Sequence, residues 1–247
     1  MASAKRGKAD LDKDEERFLE DYRPGAFARP SVTVDLVILT VVDKEPRVLL
    51  VQRGEHPFKG RWALPGGFVR VSDDRKDQGE DLDAAALREL EEETGLSEKI
   101  FLEQVRAFGK PGRDPRMRVI SVAYFALVRP TLVPQIRAGG DVAHAQWFAI
   151  GELPSLAFDH ADIVAATLEK VRADLDRTRI AFELVPETFT IQELRGVHEA
   201  LRGEALDPGN FRKKFLRMVE DGLIEPARGK RPTASKPASV YKFASSH

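Results

Sequence analysis

The sequence contains no cysteine. That excludes a disulfide framework, a cysteine-based zinc site and a cysteine nucleophile. Long apolar runs are missing too. The longest, near Leu36–Val42, falls far short of the ~18 residues that a membrane span needs. The opening stretch MASAKRGKADLDKDEERF is charged throughout and has no apolar centre for a signal peptide. A cytoplasmic protein with no membrane partner is expected. Net charge is nearly absent: 39 Lys and Arg face 40 Asp and Glu, leaving −1 at pH 7. Taken whole, that balance gives no support to nucleic-acid binding, but it is a sum and has to be resolved along the chain.

What is present is an ordinary globular composition, 42% hydrophobic and 32% charged in 247 residues, enough for one large domain or two small ones. Residues 1–23 carry six basic and seven acidic side chains, a density that buries little apolar surface. A helix is expected within Asp10–Tyr22, and RPGAFARP (23–30) reads as a linker. Val32–Val42 is β-branched and apolar, a buried strand. Arg47–Gln52 is a second strand, and Trp62–Phe68 starts extended and bends at two glycines. Leu82–Thr94 has Leu82, Ala86, Leu87 and Leu90 at helical spacing, with Gly95 as its stop. Strands are expected near Ile100–Phe108, Arg118–Val128 and Ala143–Phe148, and an amphipathic helix over Asp159–Leu175. Strands mix with helices without regular βαβ alternation, so an α+β layered fold is expected.

On the Leu82–Thr94 helix, Glu89, Glu92 and Glu93 lie at i, i+3 and i+4, three carboxylates on one face. Such like charges repel by a few tenths of a kcal/mol per pair. A hard divalent cation reverses that sign, because Mg²⁺ prefers carboxylate oxygen. Arg88 stands one turn before Glu92 and can pair with it. Upstream, Gly66 and Gly67 let the backbone approach a ligand closely. A solvated charged helix face is the plain alternative.

The pattern resembles the Nudix box, G-x5-E-x7-R-E-U-x-E-E-x-G-U with U aliphatic. Glu80, Arg88, Glu89, Leu90, Glu92, Glu93, Gly95 and Leu96 match in sequence and spacing. One departure stands out. Twelve residues separate Gly67 from Glu80 where the pattern has five. The surplus falls in the polar stretch Ser72–Gly79, read as a surface insertion that puts the usual supporting position of Glu80 in question. The resemblance implies an α/β/α sandwich that binds nucleoside diphosphates linked to another group. It makes Glu89, Glu92 and Glu93 metal ligands for Mg²⁺ or Mn²⁺, with Arg88 holding the array, all four as candidate catalytic residues. The general base is not identified by the box.

Most other residues of this region carry two readings each. Arg53 ends a strand and reaches a ligand phosphate or is a surface charge. Phe58, beside His56, stacks on adenine or packs in its loop. Trp62, just before Leu64-Pro65-Gly66-Gly67, is read as core, since Trp is mostly buried. Arg113, Arg116 and Arg118 form a basic loop, with Arg113 the candidate ligand contact and plain solvation the alternative. His160 is a packing or capping histidine, or an interface residue.

After the Asp159–Leu175 helix the pattern changes. Phe189–Gly203 is a helix with Thr190 and Glu193 at capping-box spacing. Leu206–Gly222 holds a second helix, capped by Asp207 with Pro208 at its first position. Leu223–Pro226, a basic Gly/Pro/Ser-rich stretch Ala227–Ala238 and a closing strand Ser239–Phe243 follow. This is the order of a winged helix-turn-helix with a basic hairpin tip. Residues 207–247 hold nine basic and four acidic side chains, net +5, so residues 1–206 carry −6. The near-zero total is a cancellation. Asn210, Arg212, Lys213, Lys214 and Arg217 lie on the second helix and suit a recognition helix, with Phe211, Phe215, Leu216 and Val219 as its core face. Arg228, Lys230 and Arg231 suit backbone contacts from the wing. A basic accessory domain is the alternative.

A Nudix region followed by a winged helix is similar to the NrtR family of Nudix-related transcriptional regulators of NAD metabolism. The resemblance rests on WALPGGFVRV, LPSLAFDHADI and FELVPETFTIQELRGVHEALRGEALDPGNFRKKFL. It implies a homodimer on a palindromic operator, released from DNA by ADP-ribose or a related nucleoside diphosphate. The expected organisation is a flexible arm (1–29), a Nudix domain with its linking helix (30–178) and a winged helix-turn-helix domain (179–247). With the box glutamates intact, residual hydrolysis, or a Mg²⁺-dependent ADP-ribose pyrophosphatase, is the alternative. A sugar-catabolism regulator of similar architecture is a third.

Overall fold

The computed structural model describes residues 12–72, 78–95, 100–133, 144–176, 180–233 and 236–244. The chain divides into two compact units, Met1–Pro30 and Ser31–His247. Within the first, α1 (Lys13–Asp21) buries none of its residues, and Phe18, Tyr22 and Phe27 touch one another in a short aromatic ladder.

The second unit is built around β1 (Ser31–Val42). Its apolar run lacks polar alternation, as a strand covered on both faces requires. Val37, Leu39 and Val41 enter one core, while Val34, Leu36 and Ile38 enter another on the opposite face. Beside β1 lie β2 (Glu45–Gln52), antiparallel, and β6 (Val119–Leu127), parallel. β3 (Trp62–Ala63) pairs with β2, and β5 (Phe101–Phe108) with β6, giving the order β3-β2-β1-β6-β5. Two further strands branch off: β4 (Gly66–Phe68) on β1 and β7 (Ala145–Ala149) on β2. The sequence reading began the last strand at Ala143, which lies outside the described residues.

α2 (Leu82–Thr94) covers one face with Ala85, Ala86 and Leu90. α3 (His160–Asp174) covers the other with Ile163, Val164, Leu168 and Val171. This is the expected α/β/α sandwich. Both ends of α2 follow sequence chemistry: Asp81 accepts from the Ala84 N–H, and Gly95 closes the helix in the left-handed region at φ 70°.

A short 3-10 turn (Ile180–Leu184) leads to α4 (Ile191–Arg202) and α5 (Pro208–Glu220). Thr190 and Glu193 form the capping box read from the sequence, and Asp207 caps α5 by accepting from the Asn210 N–H. β8 (Ile224–Arg231) and β9 (Ala238–Phe243) form the wing. The core under α3 continues without a break through Leu175, Ile180, Leu184, Phe189, Leu194 and Phe215. Phe215 is fully buried, and truncating such a residue costs roughly 3–5 kcal/mol.

Two expectations need correcting. Leu216 does not join the core face of α5: Phe211 and Phe215 are buried, but Leu216 is 41% exposed, because one residue turns the helix by ~100°. The basic stretch after Pro226 is not a free tip. β8 extends to Arg231 through a bulge between Pro226 and Lys230, where Gly229 takes φ 103°.

Candidate functional site

The site is assembled where β4 runs beside β1 and faces α2. Phe68, Gly67 and Gly66 pair with Thr33, Val34 and Asp35. Gly66 has φ 148°, and a Cβ on it would lie 2.2 Å from the Val34 carbonyl oxygen. A Cβ on Gly67 would lie 2.3 Å from Glu89 Oε1. The two glycines therefore bring the α2 carboxylates against bare backbone.

Arg88 is the hub of those carboxylates. Its Nε and Nη2 donate to both oxygens of Glu80, at 2.9 and 2.5 Å. Nη1 donates to Glu89 at 2.6 Å and to Glu92 at 3.1 Å, and Nη2 also reaches the Phe68 carbonyl. Glu80 thus keeps its supporting position despite the insertion. The insertion is pinched at its neck: Val71 bridges Gly79, the Glu80 N–H donates to the Arg70 carbonyl, and the Arg70 N–H donates to Glu80 Oε1. Residues 73–77 of that loop, and Leu96 at the end of the box, lie outside the described residues. The Arg88 hydrogen bonds hold the Glu80 carboxyl down to about 2.

Glu93 behaves differently. The Gly66 N–H donates to its Oε1 at 3.3 Å, and its Oε2 is buried with no hydrogen-bond partner among the described residues. Burial, then the neighbouring Glu89, Asp35 and Glu92, push this carboxyl up to about 8. An orphaned buried oxygen in an array of hard oxygen donors fits a divalent cation chemically. Among the described residues, however, no three His, Asp or Glu side chains converge closely enough to hold a metal as they stand. Arg88 takes Glu89 and Glu92, and Arg70 Nη2 takes the second oxygen of Glu92 at 2.9 Å.

Beside the array is a pocket of about 150 Å³ lined by Asp35, Arg53, Gly66, Phe68, Arg116 and Phe158, among others. Its floor is a buried polar network that the sequence reading did not foresee. Asp35 accepts from Ser121 at 2.5 Å and from Arg113 at 3.2 Å. Arg113 also forms a bidentate pair with Asp159, at 2.9 and 2.6 Å. His160 Nδ1 accepts from the Leu64 N–H at 2.8 Å, and its Nε2 stands 3.6 Å from Asp35. Burial pushes the His160 imidazole down, toward the neutral form that this acceptor role needs. A lone acid inside the apolar run VTVDLVILTVV was the available signal, since a buried carboxylate needs partners.

The structure places the remaining ligand candidates as follows. Arg113 is neither a solvated loop cation nor a free phosphate ligand; its side chain is 4% exposed and held by two carboxylates. Arg53 donates from Nε to the Pro57 carbonyl and lays its guanidinium over Phe158 at 4.9 Å. Phe58 meets the edge of Phe158 and lines, with Phe108, Lys110 and Phe158, a separate cleft of about 790 Å³. Trp62 packs on Phe148. Arg116 pairs with Asp114 and covers Phe68, and Arg118 donates to the Gly109 carbonyl.

On the winged helix, Asn210, Arg212, Lys213 and Arg217 are exposed on α5, and Arg228 and Lys230 on β8. Two candidates are engaged in partly exposed ion pairs within the protein. Lys214 donates to Asp176 at 2.5 Å. Arg231 pairs with the capping-box Glu193 and donates to the Thr188 carbonyl. Their positions midway along α5 and at the end of β8 bring them beside neighbouring acids, which one-dimensional charge counting does not reveal.

The sandwich, the box carboxylates and the winged helix define a Nudix-fold protein with a C-terminal DNA-binding type of domain. The NUDIX domain family matches residues 31–167, and the NrtR DNA-binding winged helix domain family matches residues 181–243. The chain is 34% identical to the ADPR responsive transcriptional repressor NtrR of Acinetobacter baylyi, over 93% of this chain and 88% of that protein. The chain belongs to the NrtR family. The structure of Shewanella oneidensis NrtR complexed with a 27mer DNA matches with a TM-score of 0.70 at 32% identity, over 86% of this chain and 93% of that one. The NUDIX domain of the same Shewanella protein complexed with ADP ribose matches with a TM-score of 0.53 at 34% identity, over 64% of this chain and 98% of that one.

Proposed function

We propose that this protein is a DNA-binding transcriptional repressor of NAD metabolism genes, and that ADP-ribose bound to its Nudix domain releases it from DNA. The observation that carries the reading is the exposed basic surface of α5, with Asn210, Arg212, Lys213 and Arg217 open to solvent, on a winged helix whose core is continuous with the Nudix sandwich. The repressor relative that responds to ADPR aligns over nearly the whole chain. The organisation we assign is an arm (1–29), a Nudix domain (30–178) and a winged helix-turn-helix domain (179–247). As a homodimer the protein presents two copies of α5 to a palindromic operator, with half-sites about one DNA turn apart or a multiple of it.

Effector release requires that ADP-ribose bind the DNA-incompetent state more tightly than the competent one. Shifting that equilibrium from 99:1 to 1:99 takes a preference of about 10⁴-fold. In the Nudix pocket, Arg53, Gly66 and Gly67 are the residues we assign to the ligand, with Phe58 reaching it from the adjoining cleft that shares Arg113 and Phe158; Arg113 holds the pocket floor. Glu89, Glu92 and Glu93 would hold Mg²⁺ or Mn²⁺ through carboxylate oxygen, with Arg88 fixing their orientation. The bound cation would neutralise pyrophosphate charge and stabilise a leaving oxygen. The presence of all three glutamates favours a second reading, an ADP-ribose pyrophosphatase, which is compatible with the first.

The deciding experiment is a gel shift on the protein's own upstream region and on NAD-gene promoters, with and without ADP-ribose, while the mixture is assayed for AMP. A shift that ADP-ribose reverses supports the repressor. No shift at low salt together with rapid AMP release overturns it. Glu92→Gln is expected to weaken metal-dependent hydrolysis and leave ligand-free DNA binding intact.

A further inference from the structure

Both oxygens of Glu92 are already occupied by guanidinium groups. Arg88 Nη1 holds Oε2 at 3.1 Å, and Arg70 Nη2 holds Oε1 at 2.9 Å. The two arginines differ in what they do. Arg88 lies on α2 itself, is 16% exposed and binds Glu80, Glu89 and Glu92 together, so it organises the array. Arg70 comes from the other side of the site, is 65% exposed, and among the ionic contacts of the described residues reaches Glu92.

Arg70 is not placed there by chance rotation of a loose loop. Its N–H donates to Glu80 Oε1 at 2.8 Å, and its carbonyl accepts from the Glu80 N–H at 3.0 Å. Val71 bridges Gly79 directly beyond it. The neck of the insertion therefore fixes the backbone of Arg70 to the residue that anchors Arg88. From that anchored position its side chain spans to Glu92 in the last turn of α2.

The charge consequence is direct. A divalent cation would rely on Glu89, Glu92 and Glu93, and the helix spacing of these three is right for it. Yet the described side chains form no three-residue metal set as they stand. Arg88 is buried in the array and bound to four groups, so its displacement disrupts α2's whole carboxylate face. Arg70 is exposed and, among the described residues, makes one side-chain ion pair, so it is the removable member.

We propose that Arg70 is a built-in competitor for the divalent cation at Glu92, a positioning residue that holds the carboxylate array in a cation-poor state. The proposal rests on the array being the cation site named above. Its consequence is a Nudix pocket that retains its box glutamates and still favours holding a nucleoside diphosphate over cleaving it. Lowered cation affinity, rather than loss of a ligand residue, sets the balance between effector binding and hydrolysis.

The test is Mn²⁺ titration of the full-length protein, followed by electron paramagnetic resonance of the free ion, with Arg70→Ala, Arg70→Lys and Arg70→Glu beside the unsubstituted chain. A partly exposed ion pair is worth little in water, so removing it should tighten Mn²⁺ binding about threefold to fivefold in Arg70→Ala. Arg70→Glu, which replaces a competing cation with a further carboxylate, should tighten it more. Arg70→Lys keeps the charge and should stay close to the original. The gain should shrink as salt rises, because the competing pair is exposed. Thermal unfolding of each variant reports folding, and Arg47→Ala, which removes a cation from β2 far along the sheet, controls for net charge. Mn²⁺ affinity unchanged in both folded Arg70→Ala and Arg70→Glu, or an equal gain in Arg47→Ala, overturns the proposal. Because this readout uses neither DNA nor ADP-ribose, its failure is distinct from failure of the repressor reading, which the gel shift reports.

Discussion

Lys214 of α5 donates to Asp176, two residues beyond the end of α3, with Nζ 2.5 Å from Oδ1. Arg202 of α4 holds the other oxygen of the same carboxylate, and His198 Nδ1 stands 4.0 Å from it. At its opposite end α3 begins beside the pocket, where Asp159 holds Arg113 and His160 accepts from Leu64. One helix thus touches the Nudix pocket at its start and the basic helix just past its finish.

The Lys214–Asp176 pair separates the basic residues of α5 into two groups. Lys214 is engaged with an acid, while Arg212 and Lys213 are exposed. Removing a side chain that binds a DNA phosphate should lower the salt slope of DNA binding by about 1. Arg212→Ala with Lys213→Ala should therefore abolish the shift at moderate salt and lower the slope by about 2 per protomer. Lys214→Ala should change the slope by less than one. Equal slopes for all three substitutions would show that Lys214 leaves Asp176 when DNA binds.

His198 makes the winged helix sensitive to acid. It is 2% exposed, packs edge-on against Phe211, and faces Lys214 and Arg202 as well as Asp176. Burial first, and the two cations after it, push its imidazole down from 6.5 to about 4. An unfolded chain takes up the proton near 6.5, the folded one only near 4. Its contribution to stability is thus fully present above pH 6.5 and is lost as pH falls toward 4, roughly 3 kcal/mol in all. Urea unfolding at pH 7 and pH 5 should show a loss that His198→Leu largely removes. An unchanged pH dependence in that variant would contradict the assignment.

Much of this was legible in one dimension because local chemistry decides it. The β-branched run of β1, the Gly95 end of α2, and the Thr190–Glu193 box depend on neighbours within a few residues. The helical spacing brought Arg88 within reach of Glu92, and the box resemblance had it hold the glutamate array, without any tertiary information; the Glu80 contact, left in question by the insertion, needed the fold. The partners of Arg113, Lys214 and Arg231 were not legible. They lie 46, 38 and 38 residues away, and charge runs say nothing about which acid folds against them. Asp35 was visible only as an oddity in an apolar strand.

Arg113 illustrates the cost of misreading such a residue. It was a candidate for phosphate contact, but its guanidinium joins Asp35 and Asp159 in a nearly closed setting. Removing one member of a buried pair leaves uncompensated charge, a loss of about 3–5 kcal/mol. Arg113→Ala should therefore lower the thermal midpoint strongly and impair every activity together. Arg113→Lys should recover little, because one ammonium cannot reproduce the bidentate pair with Asp159. A stable Arg113→Ala that loses only ADP-ribose binding would restore the direct-contact role.

Gly66 and Gly67 are neighbours with opposite expected sensitivities. An added Cβ at Gly66 meets main chain, the Val34 carbonyl oxygen at 2.2 Å, and the residue sits at φ 148°. Backbone strain of that kind costs about 1–3 kcal/mol before the clash is counted, and the clash falls on the β1–β4 pairing that holds the loop. At Gly67 the obstacle is Glu89 Oε1 at 2.3 Å, the end of a side chain that can turn away. Gly66→Ala should therefore unfold the β4 edge, seen as a lower midpoint and faster amide exchange at Leu36, whose N–H donates to the Pro65 carbonyl. Gly67→Ala should keep most of the stability but push Glu89 off Arg88, so that ADP-ribose and Mn²⁺ binding change while DNA binding without ligand persists. If the two alanines proved equally destabilising, the Glu89 side chain would be as rigid as the backbone beneath it, and the array would have to be treated as a fixed structural element.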